Sequence, residues 1–141
     1  MTETAPFTPA LPAYTETLLR APEAARDARR LVHLATNVWG IHAVRDAAEI
    51  VVSELLTNAV LHARRDTVRV TVTRLSDDRI RIAVVDLSKV RPQIRCASST
   101  EESGRGLGIV AALSGGRWGV DPLAWGKRVW AELSAEGESS E

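Results

Sequence analysis

The sequence predicts an α+β fold, a two-layer α/β sandwich whose mixed, mostly antiparallel sheet carries its helices on one face. Three observations predict it. Residues 21–40 and 46–63 repeat apolar side chains at the spacing of one helix face. Residues 67–75 and 79–87 instead alternate or become wholly apolar, and only Ser76, Asp77 and Asp78 separate them, the mark of a hairpin. A further pair, "RWGVDPL" and "KRVWAELS", closes around Ala124, Trp125 and Gly126. Consecutive strands joined by short turns pair antiparallel, and the helices then cover the sheet's apolar face.

The elements follow in chain order. Residues 1–12, rich in Thr, Pro and Ala, are expected to be disordered, and 134–141, "SAEGESSE", to fray, leaving a domain over 13–133. "YTETLLR" (14–20) alternates weakly and reads as a first strand. "APEAARDARRLVHLATNVWG" reads as a helix: Pro22 suits its first turn, Glu23 the positive end of its dipole, and Gly40 its C-terminal end. Its apolar stripe is expected to be Ala24, Ala28, Leu31, Val32, Leu34, Ala35 and Val38. A second helix runs from about Asp46 to Ala63, with positions 50, 51, 55, 56, 59 and 60 apolar. After the first hairpin, residues 88–105 show no apolar periodicity and read as a long loop, of the kind that is usually a functional lid or disordered. "GLGIVAALSG" reads as a short helix started by glycine.

Composition narrows the function. The chain has 141 residues, the size of one domain, and a formal net charge of zero, so no bulk positive charge argues for direct nucleic-acid binding. Cys96 is the one cysteine and allows no internal disulfide, which fits a reducing compartment. The first residues lack the basic start and apolar core of a secretory signal, and no apolar run approaches the roughly 20 residues that span a bilayer. A cytoplasmic protein that does not enter a membrane is expected.

Three features carry chemistry. Glu54, Asn58 and His62 are spaced four apart on the second helix, along one slowly drifting ridge. Alone, this ridge reads best as a polar rim beside the core. Asp86 ends the most apolar strand, "IAVVD", where a pocket can open; alone it reads as a residue that simply ends the strand. "GRGLG" (104–108) precedes an apolar helix, where glycines let the backbone approach a phosphate and helix-start N–H groups bind it. It matches neither a P-loop nor a dinucleotide fingerprint.

Together, in this order, the three are far more specific. The sequence resembles the GHKL superfamily with its Bergerat ATP-binding fold, and within it the bacterial anti-sigma-factor serine/threonine kinases. "ELLTNAVLH" resembles the N box, "VVDLS" the first glycine box, "GRGLGIV" the second, and "GKRVWAELS" the last strand. The resemblance covers roughly residues 14–133. With no dimerisation helix, sensor or receiver segment in view, a complete histidine kinase is not expected. The first box departs from the usual Asp-x-Gly, reading Asp86-Leu87-Ser88.

The resemblance implies ATP and magnesium as cofactors. By it, Asn58 ligates the magnesium ion, Glu54 is the base for the attacking hydroxyl or holds a metal-bound water, and Asp86 accepts a hydrogen bond from the adenine amino group. Ser88 stands beside the adenine. Gly104, Gly106 and Gly108, with Leu107 between them, match the lid and phosphate cradle. Arg105 is open at this point: a phosphate contact and a solvated loop cation fit equally. His62 at the helix end could approach the nucleotide but reads better as a dipole-compensating or surface residue, and the four tryptophans read as packing residues, with Trp125 in a turn suited to a partner. The implied protein is a homodimeric serine/threonine kinase that phosphorylates a STAS-type anti-anti-sigma partner and sequesters a sigma factor. The competing reading, which Ser88 keeps open, is a degenerate nucleotide-binding module that regulates by binding alone.

Overall fold

The computed structural model describes residues 11–62, 67–86, 98–124 and 126–135, with side chains described except at 60–62 and 98–105. The elements are β1 (Ala13–Leu19), α1 (Ala24–Trp39), a short 3₁₀ turn (His42–Val44), α2 (Arg45–His62), β2 (Thr67–Ser76), β3 (Arg79–Asp86), α3 (Ser98–Ser114), β4 (Trp118–Leu123) and β5 (Gly126–Ser134). The five strands form one sheet in the order β1-β2-β3-β5-β4. Every pairing is antiparallel, so the mostly antiparallel expectation holds at each one. The ladder extends slightly past its expected ends. Arg74 N–H donates to the Pro12 carbonyl at 2.9 Å, and Ala135 N–H to that of Asp78 at 2.8 Å.

Alternation decides which face the helices cover. Val68, Val70 and Val72 of β2 are fully buried, as are Ile80 and Ile82 of β3. Between them Arg69, Thr71 and Thr73 turn to the open face, where the Thr15 and Thr71 hydroxyls meet at 3.0 Å across the strands. Leu31, Val32 and Ala35 of α1, Val51, Val52, Leu55 and Leu56 of α2, and Val110 of α3 complete one core against the inner face. Each fully buried leucine or valine contributes roughly 1.5–3 kcal/mol relative to exposure.

Helix α1 ends as its sequence predicts. Gly40 takes the left-handed conformation (φ 70°), and the N–H groups of Gly40 and Ile41 close the helix on the Asn37 and Thr36 carbonyls. Its stripe is narrower than expected, because Leu34 and Val38 are exposed. These two are spaced i, i+4, share one flank, and that flank turns to solvent. Trp39 packs its ring on Tyr14, 5.5 Å between centroids, which ties α1 to β1. Trp118 also packs against the core, whereas Trp130 lies under the Arg81 guanidinium, 5.7 Å away, and Trp125 lies outside the described residues.

The reading of 88–105 as a loop is corrected at its C-terminal end. Helix α3 begins at Ser98, so its glycine stretch lies inside a helix of 17 residues rather than at its start. Residues 87–97 are outside the described residues. Among the described residues no helix is long and apolar enough to cross a membrane.

Candidate nucleotide site

Helix α2 lies in the helical layer, with α1 and α3 both packed against it. It must therefore bury one side in the core while a second side borders α3. Ile50, Glu54 and Asn58 occupy successive turns on that second ridge, each step about 6 Å along the axis. The three are not equally exposed. Ile50 is 46% exposed, Glu54 half-buried and Asn58 only 8% exposed, so the ridge dives from solvent into the fold. Ile50 was expected among the apolar residues of the core side. It lies instead on the polar ridge, because it stands one turn before Glu54.

At the deep end, the Asn58 Oδ1 is buried and has no hydrogen-bond partner among the described residues. An orphaned buried carbonyl oxygen costs about 1–3 kcal/mol, which a ligand can offset. At the next turn the Glu54 carboxylate touches α3. A Cβ placed on Gly106 would stand 2.7 Å from the Glu54 Oε1, so only glycine leaves the carboxylate in this position. Leu107 is partly buried against the core and anchors this stretch, while Gly108 is exposed and has open space beside it.

Asp86 ends β3 and is 7% exposed. Its position depends on a residue that sequence reasoning missed as part of the site. Gly126 begins β5, and a Cβ there would collide with the Asp86 carbonyl oxygen. Asp86 pairs with Lys127 in the register, so Gly126 lets β5 start flush against the strand end that bears the carboxylate. The available signal was the glycine opening "GKRVWAELS", which reads in sequence as a turn residue.

The structure thus brings Glu54 and Gly106 together where α2 meets α3, with Asn58 one turn farther along α2, and sets Asp86 at the end of β3. Gly104 and Arg105 lie on the backbone of α3, with their side-chain surroundings undescribed, and Ser88 is outside the described residues. The same holds for the surroundings of His62, the last residue of α2. The expected cradle of free N–H groups at 104–108 is corrected. Within an α-helix only the N–H groups of the first turn lack intrahelical acceptors, and in α3 that turn begins at Ser98, six residues before Gly104. The missed signal is local. Ser98 and Ser99 each stand three residues before a glutamate, Glu101 and Glu102, a pattern that caps helix starts.

The residues present suit a magnesium nucleotide. Magnesium takes oxygen ligands and keeps several waters, so a single amide oxygen such as the orphaned Asn58 Oδ1 suffices from the protein side. A buried carboxylate such as Asp86 suits the donor edge of a base.

Comparison with known proteins agrees. The model of the histidine kinase-like ATPase domain matches residues 9–115. No curated protein matches the chain. Among solved structures it is similar to that of the RsbU and RsbW domains of Rv1364c from Mycobacterium tuberculosis. That match has a TM-score of 0.66 at 20% identity and covers 87% of this chain but 32% of the other. This likeness shows the shared fold.

Proposed function

Because the chain belongs to the histidine kinase-like ATPase domain family, we propose that it binds Mg-ATP and transfers the γ-phosphoryl group to a serine or threonine of a partner protein. The observation that carries this reading is the pairing on α2. Glu54 and Asn58 stand one turn apart, with the orphaned Asn58 Oδ1 at the buried end and the Glu54 carboxylate half-open toward the surface.

Phosphoryl transfer asks little covalent work of a protein; it needs positioning, charge neutralisation and an oriented nucleophile. When bound, magnesium would neutralise charge on the phosphates. Asn58 would hold that ion through its amide oxygen. Asp86 would accept a hydrogen bond from the adenine amino group and fix the base. Glu54, on the solvent side of Asn58, would take the proton of the incoming hydroxyl. Gly106 keeps the Glu54 carboxylate in place by offering it no side chain.

The partner we propose is a STAS-type anti-anti-sigma protein, with a sigma factor sequestered by the same chain acting as a homodimer. The family motifs in the sequence support this, as does the fold shared with a solved RsbW domain. Incubation with γ-labelled ATP and STAS proteins from the same genome tests it. Label on a partner serine or threonine is expected. Tight nucleotide binding without transfer to any of them would instead favour the binding-only module that Ser88 suggests.

A further inference from the structure

We propose that the pocket between α1 and α2 receives the acceptor segment of the phosphorylated protein, and that it selects an extended segment with a basic side chain two to four residues from the acceptor hydroxyl. The inference rests on the kinase reading above and deepens it by naming the chemistry of the substrate. The pocket, about 410 Å³, is lined by Arg29, Asp46, Glu49, Ile50, Ser53 and Glu54. Glu54 belongs to two neighbourhoods at once: it lines this pocket with Arg29 of α1, and it meets Gly106 of α3. The pocket therefore leads a solvent-borne group to the carboxylate proposed to take its proton.

Charge identifies the occupant. Among the described residues, three carboxylates and one guanidinium line the pocket, a local excess of two negative charges in a chain whose formal net charge is zero. Arg29 is already engaged, donating from Nη1 to the Ser53 Oγ at 3.1 Å, and Ser53 donates in turn to the Glu49 carbonyl at 2.9 Å. His33 faces Glu49 from α1, with Nδ1 3.6 Å from its Oε2. The remaining field favours a cation, and partly exposed charges of this kind steer and orient a partner more than they hold it.

The spacing follows from helix geometry. Ile50, Glu49 and Asp46 precede Glu54 by about 6, 7.5 and 12 Å along α2. An extended segment advances roughly 3.3 Å per residue. With its hydroxyl at Glu54, the side chain about two residues away lies over Ile50. Its neighbours two to four residues away reach Glu49 and Asp46. Ile50, 46% exposed in a charged surround, supplies the apolar contact.

The test uses fluorescent serine-centred peptides of eleven residues, each with one lysine, alanine or glutamate at a defined offset. Binding is followed by anisotropy with the full chain and a non-hydrolysable Mg-ATP analogue, and transfer with labelled ATP. Lysine two to four residues from the serine on one side should bind about tenfold tighter than glutamate there. Asp46→Asn with Glu49→Gln should abolish the preference, and Asp46→Lys with Glu49→Lys should invert it. Circular dichroism and nucleotide affinity of both variants should match wild type. Absence of peptide binding, absence of a lysine preference, or a preference that survives both variants would overturn the proposal. A lysine preference that responds to the variants, with no label reaching either the peptides or the STAS proteins, would uphold the pocket and overturn the kinase reading.

Discussion

The Glu54 Oε1 occupies the place where a side chain on residue 106 would begin: a Cβ on Gly106 would stand 2.7 Å from it. One helix thus sets the rotamer of a carboxylate on another by leaving out an atom. The contact is with the end of a flexible side chain, so a methyl group there displaces the carboxylate rather than the backbone.

Gly106→Ala tests this coupling. Alanine in a helix interior gains about 1 kcal/mol over glycine, and turning Glu54 off its rotamer costs about 0.5–1.5 kcal/mol. The melting temperature should hardly change. Phosphotransfer should fall by about a hundredfold, because a displacement of about 1 Å at a reacting group has that effect. Wild-type transfer rates in this variant would show that the carboxylate position does not matter.

Glu54→Gln separates chemistry from binding. Glutamine keeps the shape and removes the charge and basicity. Nucleotide affinity should hold, measured by titration with a fluorescent ATP analogue, while phosphotransfer drops by roughly 10²–10⁴. Loss of affinity on the same scale would assign Glu54 to binding instead.

Gly126→Ala addresses the end of β3 that bears Asp86. Its Cβ would meet the Asp86 carbonyl oxygen, part of the backbone, which cannot rotate away. The start of β5 must then separate from the end of β3. We expect a loss of about 1–3 kcal/mol in urea unfolding, as for overpacked sites, together with weaker nucleotide binding. A stable variant with weaker binding would show that the strand ends yield locally at Asp86.

Local patterns made much of this legible. The hairpin of β2 and β3 was visible because valine alternates with threonine and arginine over 68–73, and the end of α1 because Gly40 suits the left-handed position. Glu54 and Asn58 were visible as a polar ridge, since the four-residue step is itself helix geometry. What stayed hidden depends on contacts between distant segments. Periodicity marks Ile50 as apolar but cannot say that its neighbour is a carboxylate-lined pocket. Gly126 meets Asp86 only because β5 inserts between β3 and β4. The start of α3 was missed for another reason. Residues 98–103 carry serines and glutamates at capping-box spacing but no apolar stripe, and a search for periodicity passes over such a helix start.

The Asn58 Oδ1 gives the most discriminating prediction. It is buried, without a hydrogen-bond partner among the described residues, on a residue 8% exposed. Removing an unsatisfied buried polar group relieves a desolvation cost, and alanine is the better helix former by about half a kcal/mol. If Asn58 were only structural, Asn58→Ala would leave a small cavity and a modest stability change, and nucleotide binding would move equally with or without metal. If its oxygen is there for magnesium, the folded protein should melt no lower than wild type. Nucleotide affinity in excess magnesium should then fall by an order of magnitude or more, while affinity in EDTA, where no ion bridges protein and phosphate, stays near wild type. Asn58→Asp sharpens the contrast. It restores an oxygen and adds a charge, so binding should return with magnesium and weaken in EDTA, where the bare carboxylate faces the phosphates. Two isothermal titrations per variant, one in each buffer, decide it. An equal loss in both buffers for Asn58→Ala would remove the metal from this residue.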